Sequence, residues 1–142
     1  METIDCKTAT LSIVDDNMLL VTMKEDAEVD LAAATENHEV AVRLTKGNKY
    51  ICLVDARKYT TITDEARKYA MRPDMYTNVI AQAVVITSLA TRLLANFLMP
   101  FTQRNRVVDM RLFNDYDLAH NWLQEKLTKD EMLMMSDSLN ES

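Results

Sequence analysis

Asp64 and Glu65 are adjacent carboxylates, the residue type that general acid–base chemistry uses. A working pair needs oxygens that converge, and neighbouring residues on a helix do not face each other. Both follow Thr63, where the pattern opens a helix, and acids in a first turn complement the positive end of the helix dipole. The pair therefore reads as a helix start before it reads as a catalytic dyad. The Thr63 hydroxyl has a matching role as N-cap, worth about 1 kcal/mol. His38 and His120 fall on separate expected helices, with no His-x-x-x-His spacing and no nucleophile beside a base. Cys52 lies inside an apolar run and reads as core. Cys6 lies in a terminal segment that could be exposed, with only Lys7 beside it to activate the thiol. An isolated disulfide is one option for the two cysteines; reduced thiols in a cytoplasmic protein are the simpler one. The single glycine, Gly47, excludes glycine-rich phosphate loops of both the dinucleotide and the nucleoside-triphosphate kind. No cofactor and no metal is expected.

The elements that must position these residues belong to one domain. The chain has 142 residues, 48% of them apolar, which suffices for a single core. No run approaches the ~18 apolar residues of a membrane helix. The opening Met1-Glu2-Thr3-Ile4-Asp5 is acidic and unlike a signal peptide. Net charge is −6, and four of those charges fall after Lys129, which leaves −2 for the rest. Nucleic acid is a poor partner for such a chain, because phosphate binding needs a concentrated positive face.

Residues 9–14 and 18–23 read as an antiparallel hairpin turning at Asp15-Asp16-Asn17. Asp30 caps a helix over 31–46, with Leu31, Ala34, Ala41 and Leu44 near one face and Gly47 free to take the left-handed conformation after it. Residues 50–54 and 80–87 are continuous apolar runs, as in strands buried on both faces. Between them a helix runs from Thr63 to Pro73. Ser88 caps an apolar helix over 89–99 that stops at Pro100, 107–113 form another strand, and Asn114 or Asp115 caps a last helix anchored by Leu118, Trp122 and Leu123. The expected fold is α/β, a mixed sheet of about five strands with four helices in the order β-β-α-β-α-β-α-β-α, its later strands joined by right-handed crossovers. Residues 1–128 form the domain, and 129–142 read as an acidic, frayed, flexible tail.

Three stretches in order, "LTKGNKYICLVDARKYTTITDEARKYA" (44–70), "AVVITSLATRLLANFLM" (83–99) and "RLFNDYDLAHNWLQEKL" (111–127), resemble the STAS domain. That is the fold of anti-sigma factor antagonists and of sulphate-transporter tails. The likeness covers most of residues 8–127 and is closest to a small bacterial group described as SpoIIAA-like or STAS/CRAL-TRIO-like. In the antagonists a strand ending in Asp leads to a helix start of the form Asp-Ser-Ser-Gly-Leu, whose phosphorylated serine controls docking to an anti-sigma kinase. By this resemblance Asp55 matches the strand-terminal Asp and Ile62 the apolar residue before the motif. Thr63, Asp64, Glu65, Ala66 and Arg67 fill the motif, with Asp64 and Glu65 at the serine positions. The resemblance thus implies a place for partner contact without the phosphorylation switch.

The leading expectation is a non-enzymatic interaction or regulatory domain. It would meet a protein partner through Asp55, Thr61, Thr63, Asp64, Glu65, Arg67 and Ser88. Helix 89–99 is apolar around more than one face, with Leu94, Phe97 and Leu98 available to the core, to a partner contact or to an apolar ligand, and a homodimer to which this helix contributes is expected. The rival expectation is therefore a carrier that holds a small apolar or lipid-like ligand beneath this helix. The ten methionines could add an adaptable surface.

Overall fold

The computed structural model describes residues 2–15, 17–58, 60–87 and 108–140. A six-stranded mixed sheet forms its centre. Strands β1 (Thr3–Asp5), β2 (Ala9–Val14) and β3 (Met18–Met23) make an antiparallel meander. β5 (Tyr50–Asp55), β7 (Val79–Val85) and β8 (Asp109–Phe113) then run parallel to β3, in the spatial order β1-β2-β3-β5-β7-β8. The apolar runs at 50–54 and 80–85 thus lie inside the sheet, each with a strand on either side. Their lack of apolar–polar alternation follows, because both faces of an interior strand are covered.

Two further strands were too short to show a period in the sequence. β4 (Ala27–Val29) and β6 (Thr60–Ile62) pair in parallel as a separate ladder. Each leads straight into a helix cap. Asp30 follows β4, and its Oδ1 accepts from the Ala33 amide at 2.8 Å to start α1 (Leu31–Thr45). Thr63 follows β6, and its Oγ1 accepts from the Ala66 amide at 3.2 Å to start α2 (Asp64–Ala70). The Thr63 amide in turn donates to the Val29 carbonyl at 3.0 Å. Two helix starts are therefore bound side by side, with Val29, Ala33 and Ala66 buried between them.

Three details differ from the expectation. The buried residues of α1 are Ala33, Val40, Ala41 and Thr45, and Leu31, the first residue of the helix, is exposed. The left-handed residue that ends α1 is Lys46 (φ 54°), with Gly47 (φ 78°) following it. Cys6 is buried along with Cys52, and both are free thiols.

The last helix, α3 (Tyr116–Asn140), packs on the opposite face of the sheet from α1, through Ala119 and Leu123. It does not fray at 129 but continues as helix to Asn140, with residues 131–139 all exposed. A helix of this length spans about 37 Å, well beyond a six-residue strand, so its end has no sheet to cover it. Lys49 reaches Asp130 at 3.5 Å near the point where the two part. The described helices number three. The expected fourth, over 89–99, lies outside the described residues together with Ser88, Leu94, Phe97 and Leu98.

Candidate functional site

Side chains on a strand alternate between faces, and the two faces of this sheet meet different covers. Ile51 and Leu53 point into the cluster beneath α3, while Cys52 and Val54 point toward α1 and α2. On the α1–α2 side the covering elements leave a cavity of about 260 Å³. Its floor is sheet: Leu19, Val21 and Met23 from β3, Tyr50, Cys52 and Val54 from β5, and Gln82 and Val84 from β7. A bulge opposite Tyr50 and Ile51 shifts the register of β7 by one residue and brings Val79 onto the same face. The roof is Ala34, Asn37, His38 and Ala41 of α1, with Thr60, Thr61 and Ile62 of β6 and Ala70 of α2 as one wall. A 3-10 turn (Pro73–Tyr76) closes the far side with Met75 and Tyr76.

Among the described residues, the lining contains no Asp, Glu, Lys or Arg. Burial pushes the Cys52 thiol up to about 12, and it pushes the Tyr50 and Tyr76 hydroxyls well above the ordinary tyrosine value. All three stay protonated at neutral pH, so none serves as a base or a nucleophile. The His38 ring, also in the lining, packs edge-on against Tyr69 at 6.3 Å. One polar atom stands out. The Asn37 Nδ2 donates to Thr8 Oγ1 at 3.1 Å, while its Oδ1 is buried with no hydrogen-bond partner. A concave, mostly apolar pocket with a few convergent polar groups is the usual form of a small-molecule site. A second hollow, near the exposed Arg43, Lys46 and Lys49 at the end of α1, is also lined by buried Thr45 and half-buried Leu44 and Tyr50.

The residues expected to meet a partner divide between the two sides. Thr61, Thr63, Asp64, Glu65 and Arg67 form one group beside the cavity. Thr61 lines it, Thr63 is committed as the cap, Asp64 and Glu65 are exposed, and Arg67 Nη2 lies 3.6 Å from Asp64 Oδ1. Asp55 turns the other way. Its carboxylate takes both Nε and Nη2 of Arg57, at 2.9 and 2.8 Å, and the guanidinium stacks 5.6 Å above the Tyr116 ring of α3. This pairing holds the Asp55 carboxyl below its ordinary value against the opposing effect of burial. His120 is also on the α3 side, its Nε2 2.7 Å from Asp15 Oδ2.

Sequence reasoning missed the cavity. Its lining is drawn from many separate elements, and Asn37 in particular carried no local signal beyond an exposed-looking helix position. Among the described residues, no group of three or more His, Cys, Asp or Glu is placed to hold a metal ion, and no helix is long and apolar enough to cross a membrane.

No curated protein and no solved structure matches the chain. A family model described as a domain of unknown function, DUF7793, matches residues 11–127. That span runs from β2 to the first half of α3 and covers most of the chain, so the protein belongs to the DUF7793 family.

Proposed function

We propose that this protein is a non-enzymatic, STAS-like binding domain that holds a small, largely apolar molecule between its sheet and α1–α2. The apolar cavity carries the reading. Among the described residues its lining offers hydrogen bonds but no permanent charge and no activated nucleophile, which suits retention better than turnover. On this reading the ligand lies on the α1–α2 side, over β3, β5 and β7. Native mass spectrometry of the purified chain tests it. The expected result is a small-molecule adduct, or uptake of an added apolar probe, that Ala41→Leu abolishes in a folded protein. Uptake that is indifferent to Ala41→Leu would refute this location.

A protein partner is a second role, supported by the wall that β6 and α2 share with the cavity. That wall presents Asp64 and Glu65 to solvent as fixed negative charge. Replacing both with serine separates contact from capping. Lost capture of a partner by a protein that melts normally supports contact, and lost stability with unchanged capture removes it. Phosphate on Thr63 would cost the helix its cap and crowd three anionic groups. Stoichiometric phosphothreonine at that site in protein from its own cell would overturn the fixed-charge reading.

A further inference from the structure

Resting on the cavity reading, we propose that the site selects an uncharged molecule about the size of two fused rings, bearing a hydroxyl or N–H that donates to the Asn37 side-chain oxygen. Three observations meet here. The first is charge. Among the described residues no Asp, Glu, Lys or Arg lines the cavity, so a carboxylate, phosphate or ammonium group there would lose its hydration with no counter-charge from them. The second is size. A 150 Å³ apolar cavity accepts benzene, so about 260 Å³ takes roughly ten heavy atoms on the same scale.

The third is the buried amide. Asn37 lines the roof, one helical turn before Ala41 and next to His38. Its Nδ2 is spent on Thr8 Oγ1 at 3.1 Å, which sets the amide from outside the cavity. Thr8 is itself buried and anchored, its carbonyl accepting from the Lys24 amide at 3.0 Å. The Asn37 Oδ1 is left buried and unpartnered. A buried acceptor without a donor carries its full desolvation cost, and a ligand that supplies the donor recovers it. A ligand lacking the donor leaves the cost in place, which makes Asn37 a residue that discriminates and does not merely hold.

Titrating the full chain with 2-naphthol, 2-methoxynaphthalene and 2-naphthoate, followed by calorimetry, tests the inference. The three share a ring system and differ in donor and charge. The naphthol is expected to bind about five- to tenfold tighter than its methyl ether, the effect of one net hydrogen bond, and naphthoate most weakly. Asn37→Leu is expected to shrink the preference for the naphthol over the ether to within about twofold. Equal or tighter binding of the ether overturns the donor inference and leaves the cavity reading intact. Tightest binding of naphthoate overturns the selection for an uncharged molecule. A preference that survives Asn37→Leu moves the acceptor to another residue. If none of the three binds, the cavity reading falls and this inference with it. The series on the unaltered chain decides even if the variant fails to fold.

Discussion

The two faces of the sheet are covered by helices of opposite character. On the α3 side, Met18, Ile51, Leu53, Ala81, Ala83, Val85, Ala119 and Leu123 are all sealed from solvent, at 0% exposure. Alanines at 81, 83 and 119 remove bulk where helix meets sheet, so α3 sits down directly on β5, β7 and β8. The other face has alanines too, Ala34, Ala41 and Ala70, yet they line a cavity. The difference is in what anchors the helices. α1 and α2 are fastened to each other through the β4–β6 ladder and their adjacent caps, and α1 reaches the sheet chiefly at β2. The same small residue closes a gap where a helix is free to settle. It leaves one where the helix is held from its end.

The comparison is easiest to break with one substitution made on both faces. Leu53 of β5 and Leu19 of β3 are both buried, at 0% and 2% exposure, but Leu53 faces α3 and Leu19 faces the cavity. A side chain beside empty space has fewer neighbours to lose. Leu53→Ala is therefore expected near the top of the ~2–5 kcal/mol range for such truncations, and Leu19→Ala near the bottom. Urea unfolding of both variants checks this. Equal losses would mean that the two faces are packed alike.

Much of this arrangement was legible in the chain, and the illegible parts share a cause. The interior strands announced themselves because 50–54 and 80–85 are apolar without alternation. The hairpin was clear from its two matched runs around Asp15, and the start of α2 was clear from Thr63, Asp64 and Glu65, whose types serve a cap and a dipole locally. What could not be read depends on register between distant segments. β4 and β6 are three residues each and gain meaning only from pairing with each other. The buried side of α1 was read in part: Ala41 is buried and Ala34 and Leu44 pack on the core, but Leu31, the first residue of the helix, is exposed. The end of α3 was read as a tail because its apolar residues, Met132, Leu133, Met135 and Leu139, follow no narrow stripe and are all exposed.

Filling space sharpens the contrast at a smaller scale. Ala83→Leu adds bulk under α3, where there is no room, and is expected to cost ~1–3 kcal/mol. Ala41→Leu adds the same bulk to a wall of the cavity and is expected to change stability by less than ~1 kcal/mol, or to raise it, because the new carbons fill a void. Thermal and urea denaturation measure both. A strongly destabilised Ala41→Leu protein would show that the cavity closes in solution.

The smallest expected effect lies on the packed side and depends on pH. Asp55 is the last residue of β5, its side chain 14% exposed and gripped by Arg57, which is itself 49% exposed. Arg57 holds the carboxyl below its ordinary value. A group lowered on folding stabilises the fold above its unfolded value, near 3.9, and that contribution disappears as pH falls through the folded value. Because the guanidinium is half in water, screening limits the pair to about 1 kcal/mol or less. Acidification from pH ~5 downward should thus cost the native chain slightly more than Arg57→Ala, in which Asp55 has lost its partner and only burial acts on it. Carbon-detected NMR titration of Asp55 in both proteins reads the shift directly. Its carboxyl titrating at or above the ordinary value in the native chain would rule out the pairing. Arg57 lies on the α3 side, so this variant should bind 2-naphthol as the native chain does. A loss of that binding would mean that the two faces are coupled through β5 and are not independent.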